Sequence, residues 1–179
     1  GMPLQGLTAQ FLLEDSHPVH AGETLLVHAA GGGVGQLLVQ LAKAKGARVI
    51  ALASNEAKRE AALAAGAAHA VDSGIGWVDR VHTFAPDGVD VVYDSIGRTL
   101  ADSLSLARTG GTVVFYGMAA GDPDPVDPRV LMDRSLTLVG GDLWNVLTTA
   151  QVRQQRADRL FDAVRAGRLQ VAIAARIPL

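Results

Sequence analysis

Cysteine is absent from the 179-residue sequence, and aromatic residues make up only 4% of it. Without cysteine the chain has no disulfide bonds, thiolate nucleophiles or cysteine-ligated zinc sites. No run of eighteen apolar residues occurs, and no basic stretch followed by an apolar one opens the sequence. We therefore expect a cytoplasmic protein with no membrane partner.

Charge of one sign is also scarce, since the formal net charge is −2 and lysine and arginine form no long run. A nucleic-acid surface would need such a run, so we expect a small-molecule partner instead. Histidines are scattered, with no i,i+4 pair beside a carboxylate. We predict no metal site, and turn, strand-end or surface roles for His17, His20, His28, His69 and His82.

Apolar patterning predicts strands and helices in alternation. Strands are predicted at 24–28, 48–53, 69–71, 89–93, 112–116 and 136–139. Helices are predicted at 4–13, 35–45, 55–65, 77–84, 98–108 and 150–166, with a short one after the loop 121–128. The layout indicates one α/β domain over residues 1–179, a doubly wound parallel six-stranded sheet (Rossmann fold) in three α/β/α layers, with its cleft at the carboxyl ends of the strands.

A glycine-rich turn, Ala-Gly-Gly-Gly-Val-Gly at 30–35, lies between the first strand and the next helix. A pyrophosphate reaches backbone N–H groups and a positive helix end only where no side chain intervenes. Gly32 would let the backbone approach the phosphates, and Gly35 would let the helix pack closely on the sheet. The turn predicts a dinucleotide site. The alternative is a purely structural link, because glycine contributes 20 of the 179 residues.

The end of the second strand indicates which dinucleotide is bound, because an acidic residue there holds the ribose 2′-hydroxyl of NAD. Here the strand ends in Ser54 and Asn55, and Lys58 and Arg59 follow one helical turn later. This favours NADP, although Glu56 lies close by. In the alternative interpretation, Ser54 or Asn55 caps the helix, and the basic side chains of Lys58 and Arg59 form its solvated face.

Five strings of residues, at 6–10, 27–35, 54–58, 92–97 and 115–118, resemble the medium-chain dehydrogenase/reductase superfamily, and its zinc-free quinone oxidoreductase branch matches best. The resemblance spans nearly the whole chain. It implies a nicotinamide contact for Thr8 and a 2′-phosphate contact for Lys58. It also implies pyrophosphate contacts for Gly32, Gly33, Val34 and Gly35, and contacts along the cofactor for Ser95, Tyr116, Gly117 and Met118.

The sequence departs from this family at two positions and in extent. Asp72-Ser73 stands where the family often has an aromatic residue, and Met118 where it often has a polar one. Family members carry an N-terminal catalytic domain and continue beyond residues 176–179. We therefore expect a cofactor-binding domain that lacks the catalytic domain, binds nucleotide and shows little turnover, with Gly1 as a cloning remnant.

The resemblance implies hydride transfer from NADPH to a small-molecule acceptor, either a quinone or an α,β-unsaturated carbonyl. No residue is predicted as a general acid, so the catalytic residues stay unknown. Asp94 follows a strand and is a candidate, but its place beside Ser95 and Gly97 is equally explained by a role in the turn. Two alternatives are a nucleotide-binding module without catalysis and an enoyl-thioester reductase domain of fatty-acid or polyketide type. For the second, Arg153, Arg156 and Arg159 offer a basic helix face. The strand pattern disfavours a methyltransferase.

The strand at 136–139 comes late in the sheet, where an exposed edge would invite pairing with a second copy. A homodimer is therefore a hypothesis. Its alternative is that the loop 140–144 and the last helix cover this edge. Among the aromatic residues, Tyr93 is predicted to pack in the core, whereas Tyr116 stays a cofactor candidate because it ends a strand.

Overall fold

The computed structural model describes residues 2–171, so the predictions for Gly1 and for 176–179 lie outside the described residues. Six strands form one sheet in the order β3-β2-β1-β4-β5-β6, and every neighbouring pair is parallel. The strands are β1 (Thr24–Val27), β2 (Arg48–Ala53), β3 (His69–Asp72), β4 (Val89–Asp94), β5 (Ala107–Phe115) and β6 (Thr137–Gly140).

Helices connect the strands and flank the sheet. They are α1 (Met2–Phe11), α2 (Gly33–Ala44), α3 (Glu56–Ala65), α4 (Trp77–His82), α5 (Leu100–Leu106), α6 (Pro128–Arg134) and α7 (Ala150–Arg165). A π-helical turn, Leu12–Ser16, continues α1, and a 3₁₀ turn, Leu143–Asn145, precedes α7. None of the helices within residues 2–171 has the length and apolar character needed to cross a membrane.

Each strand contributes to two hydrophobic cores, because successive side chains of a strand point to opposite faces of the sheet. In β1, Leu25 and Val27 belong to the core covered by α1, α2, α3 and α7. Leu26, between them, belongs to the core covered by α4, α5 and α6. The predicted doubly wound sheet in three layers is confirmed, and so is the core position of Tyr93, which is fully buried.

Several element boundaries differ from the prediction, and those of α2, α5 and β5 have a clear structural reason. Helix α2 begins at Gly33 rather than at residue 35, because Gly32 acts as its extended N-cap and the first turn needs no apolar periodicity. Helix α5 covers seven residues, Leu100–Leu106, and ends where Ala107 turns to an extended conformation. Strand β5 consequently begins at Ala107 instead of residue 112 and pairs with β4 across an irregularity in register.

Candidate functional site

The turn between β1 and α2 directs backbone N–H groups toward one point at the carboxyl edge of the sheet. Ala29 has a left-handed φ of 48°, which reverses the chain direction after β1. Within residues 2–171, the first three N–H groups of α2, those of Gly33, Val34 and Gly35, have no backbone acceptor. Unpaired N–H groups and the positive end of a helix dipole are together able to bind an anion.

Two glycines of this turn are required by close backbone contacts. A Cβ atom on Gly35 would lie 2.4 Å from the carbonyl oxygen of Ala29, so the predicted close packing of α2 on β1 is present. A Cβ atom on Gly31 would lie 2.6 Å from the carbonyl oxygen of Lys58. The sequence analysis did not single out Gly31. Its glycine is needed because the turn presses directly against the backbone of α3.

Helix α1 lies over the start of α2. A Cβ atom on Gly33 would lie 2.2 Å from Nε2 of Gln5, which places the Gln5 amide beside the first turn of α2. Gln5 was not among the predicted residues, and it lies one helical turn before Thr8. The Thr8 hydroxyl, predicted near the nicotinamide, donates a hydrogen bond to the carbonyl oxygen of Leu4 at 2.9 Å.

A cavity of about 290 Å³, hereafter the first cavity, opens beside the glycine turn at the carboxyl ends of β1, β2 and β4. Ligands of doubly wound sheets bind at this edge, and the volume is close to the lower end of the range for ligand pockets. Predicted cofactor residues that line it are Gly32, Ser54 and Lys58. Gly31 and Ser73, which were not predicted, line it too.

The rim of the first cavity carries one of the two predicted bases. Nζ of Lys58 lies 3.5 Å from Oγ of Ser54. Arg59, by contrast, forms ion pairs with Glu56 and Asp72, so it is held away from a ligand in this cavity. The acidic Glu56, which had weakened the NADP prediction, is occupied by the same contact.

Asn55 has the capping role that was the alternative to phosphate binding. It is the N-cap of α3, and its Oδ1 accepts a hydrogen bond from the backbone N–H of Lys58 at 2.9 Å. An N-cap of this type fixes the first turn of a helix. The cap therefore holds Lys58 at the rim of the cavity.

A buried carboxylate shapes the loop that follows β4. Asp94 is fully buried, and its Oδ1 accepts hydrogen bonds from the N–H groups of Ile96 at 2.8 Å and Gly97 at 3.2 Å. Its Oδ2 accepts from the hydroxyls of Thr99 at 2.8 Å and Ser103 at 2.7 Å. The turn role weighed for this residue is thus present, and no catalytic role is needed to explain it.

His28 follows β1 directly, as expected for a strand-end histidine, but its side chain is 2% exposed and lines the first cavity. Its Nε2 lies 3.1 Å from Oγ of Ser103. Burial lowers the pKa of His28, and the charges of Asp94 and Asp102 oppose that shift only in part. The ring is therefore neutral near pH 7.

The loops after β5 and β6 border a second cavity, of about 430 Å³, where Tyr116, Gly117 and Met118 lie. A Cβ atom on Gly117 would lie 3.1 Å from the carbonyl oxygen of Ser95, so the structure brings these four predicted residues together. Burial raises the pKa of the Tyr116 phenol to about 12, opposed by a hydrogen bond with Ser95. The structure thus brings Gly32, Ser54 and Lys58 together at the first cavity, and Ser95, Tyr116, Gly117 and Met118 together at the second. Neither cavity is lined by the predicted residues Thr8, Gly33, Val34, Gly35 and Asn55.

A parallel sheet of this strand order, with a glycine turn between its first strand and the next helix, has the doubly wound architecture that is typical of nucleotide-binding domains. Residues 33–162 match the family model described as zinc-binding dehydrogenase. The chain belongs to this family, and its resemblance to the quinone oxidoreductase branch of the medium-chain dehydrogenase/reductases is confirmed. Within residues 2–171, no group of three or more histidines and carboxylates could hold a metal ion.

Known proteins align with almost the entire chain. A 2-haloacrylate reductase of a Burkholderia species is 39% identical over 186 residues, which cover 100% of this chain and 55% of the relative. A protein of Schizosaccharomyces pombe named probable quinone oxidoreductase is 40% identical, and the alignment covers 95% of this chain and 52% of that protein. A mycobacterial protein solved in complex with NADPH has a TM-score of 0.89 and 38% identity, covering 95% and 53%. The chain thus spans about half the length of the relatives it matches.

Proposed function

We propose that this chain is the cofactor-binding half of an NADPH-dependent oxidoreductase that transfers hydride to a quinone or to an α,β-unsaturated carbonyl. The observation that carries the proposal is the first cavity, where the glycine turn, Ser54 and Lys58 converge. None of the residues that line this cavity, within the described range, is acidic. A site with a lysine and no carboxylate suits a 2′-phosphate better than a free 2′-hydroxyl.

The cofactor would lie along the carboxyl edge of the sheet. The N–H groups of Gly33, Val34 and Gly35 would bind its pyrophosphate, and Lys58 with Ser54 would bind its 2′-phosphate. The group comprising Ser95, Tyr116, Gly117 and Met118, together with Thr8 of α1, would lie toward the nicotinamide. All of these assignments rest on the family resemblance. The two cavities support those of Ser54, Lys58, Tyr116, Gly117 and Met118. The N–H groups without a backbone acceptor support the pyrophosphate assignment.

Bound NADPH supplies the hydride, and the residues of this chain bind and orient it. The relatives whose names mention a quinone or a haloacrylate support an electron-poor acceptor for the whole protein. No side chain described above is positioned as a general acid, so the proposal assigns this chain binding and orientation only. A nucleotide-binding module without catalysis would share this site.

The enoyl-thioester alternative depended on a basic face of the last helix, and that face is already engaged. Arg156 donates to Asp15 at 2.8 and 2.7 Å, and Arg159 pairs with Glu14 at 3.3 Å. Arg153 donates to the carbonyl oxygen of Leu147 at 2.9 Å. The contacts of Arg156 and Arg159 join α7 to the π-helical turn, and all three arginines already have a partner within the described residues, which disfavours a phosphopantetheine site on this face.

Calorimetric titration with NADPH and NADH tests the cofactor proposal. We expect tighter binding of NADPH, and a loss of about 10- to 100-fold in NADPH affinity for Lys58→Ala, the range of a charged hydrogen bond. NADH affinity should change little. Lys45→Ala, at the opposite end of α2, is the matched control. Equal binding of the two nucleotides, or an unchanged preference in Lys58→Ala, would contradict the proposal.

We further propose that two copies of the chain pair through β6, which is an edge strand as predicted. Within residues 2–171, the main packing contact of α7 is with α1, which supports an edge left open to a second copy. Trp144, after β6, is 65% exposed. Light scattering that shows only monomer at high concentration would refute the dimer.

The cytoplasmic location of the protein stays a prediction.

A further inference from the structure

The proton positions around His28 follow from counting donors. Asp94 accepts four hydrogen bonds, the full capacity of a carboxylate, and one of them comes from the Ser103 hydroxyl. A serine hydroxyl has a single proton, so Oγ of Ser103 can only accept from Nε2 of His28. The neutral ring of His28 therefore carries its proton on Nε2 and a lone pair on Nδ1.

Nδ1 makes no hydrogen bond within the described residues 2–171, and it is not one of their completely buried unpaired polar atoms. It therefore keeps a small accessible surface on a residue that lines the first cavity. The ring is held edge-on to Trp77, with the ring centroids 5.2 Å apart and the planes at 79°. Both rings line the first cavity. When a ligand encloses such an acceptor without donating a hydrogen bond to it, the unpaired acceptor costs free energy.

The position of His28 in the cavity indicates which part of a ligand it meets. The phosphates would bind at the glycine turn, and Lys58 with Ser54 marks the ribose end. The same cavity is also lined by His28, Trp77 and Ile96. Apart from Nδ1 of His28 and the indole N–H of Trp77, these side chains are aromatic or apolar. A flat nucleobase fits such a wall, with Nδ1 as the acceptor that fixes its orientation.

We propose that His28 reads the nucleobase of the bound nucleotide, with Nδ1 accepting a hydrogen bond from the exocyclic amine of adenine. This inference rests on the proposed NADPH site. A hypoxanthine base, which has a carbonyl oxygen in place of that amine, would set two lone pairs against each other. Sites that hydrogen-bond a donor reject an analogue without it, since the buried acceptor stays unpaired.

The test compares NADPH with its deamino analogue, in which hypoxanthine replaces adenine. We expect the 179-residue chain to bind NADPH about tenfold more tightly than the analogue, the effect of one unpaired buried acceptor. In His28→Phe the two nucleotides should bind within about twofold of each other. His20→Phe, at an exposed histidine, is the matched control and should keep the full preference.

Nitrogen-15 spectra of the histidine rings keep the inference testable if His28→Phe does not fold. NADPH should shift the Nδ1 resonance of His28 in the wild-type chain, and the deamino analogue should not. If NADPH binds and depends on Lys58 but both nucleotides bind equally, the role of His28 is overturned while the proposed function stands. If NADPH does not bind at all, the proposed function itself fails.

Discussion

The two cavities along the carboxyl edge of the sheet differ in how completely the described part of the chain builds them. The first is enclosed by the glycine turn, by α3 and by the loops after β3 and β4, with a buried polar network against its wall. The second has a floor of backbone loops and open sides, where Met118 is 55% exposed. Binding at the first cavity therefore needs little rearrangement, and under the proposed function it would fix the adenosine end of the cofactor.

The largest effect on the first cavity is expected from a substitution in its glycine turn. Gly35→Ala places a methyl group 2.4 Å from a backbone oxygen, and the helix would have to move off β1 to relieve the contact. We expect a loss of about 3 kcal/mol in the free energy of unfolding, at the upper end for overpacking, together with loss of nucleotide binding. Denaturant unfolding and calorimetry measure the two effects.

Gly140→Ala is the control for that prediction at the second cavity, because an added Cβ atom there meets nothing within 4 Å. We expect a change within about 0.5 kcal/mol, as for ordinary surface substitutions. Equal destabilisation by the two variants would mean that the first cavity is no more tightly built than the second.

The glycine turn and the six strands were predictable because they depend on local residue types. A buried parallel strand reads as an apolar run, and a turn against a phosphate reads as glycine. The side-chain pairings were not predictable in this way. Ser103 meets His28 across 75 positions of sequence, and only the packing of α5 beside β4 brings them together.

The basic residues Lys58 and Arg59 show that side-chain pairings over shorter sequence distances were not predictable either. Lys58 and Arg59 are adjacent and chemically similar, so the sequence offered both to a phosphate. In the structure Arg59 turns to Asp72, 13 positions later at the end of β3, and only Lys58 reaches the cavity. Which neighbour faces a ligand depends on the strand that packs next to the helix.

The two cavities should also differ in their response to pH. Burial lowers the pKa of His28 below its ordinary 6.5, so on acidification the unfolded chain binds this proton first. Stability from this group is complete above pH 6.5 and is lost as the pH falls toward the folded-state pKa. Burial raises the pKa of Tyr116 from 10 to about 12, so stability from that group falls as the pH rises above 10.

Unfolding free energies measured from pH 5 to pH 11 would separate the loss of stability at acid pH, the acid limb, from the loss at alkaline pH, the alkaline limb. The acid limb should be less steep in His28→Phe, and the alkaline limb should be less steep in Tyr116→Phe. His69→Gln is the control for the acid limb, since burial and the charge of Arg48 also lower the pKa of His69. If the acid loss of stability disappears in His69→Gln and persists in His28→Phe, the effect belongs to His69, which lines neither cavity.

The smallest effects distinguish the two caps. Asn55 caps α3 beside the first cavity, and Asp142 caps the 3₁₀ turn beside the second, where its side chain accepts from the N–H of Trp144 at 3.0 Å. Asn55→Ala should cost about 1 kcal/mol of stability, the usual value for an N-cap. Asp142→Ala should cost less, about 0.5 kcal/mol, because it supports only a three-residue turn.

Because the Asn55 cap also holds Lys58 at the rim of the first cavity, the loss of this cap should weaken NADPH binding a few-fold and leave NADH binding unchanged. Thermal unfolding and titration of both variants test this, and a loss of NADPH affinity confined to Asp142→Ala would place the selective contact at the second cavity instead.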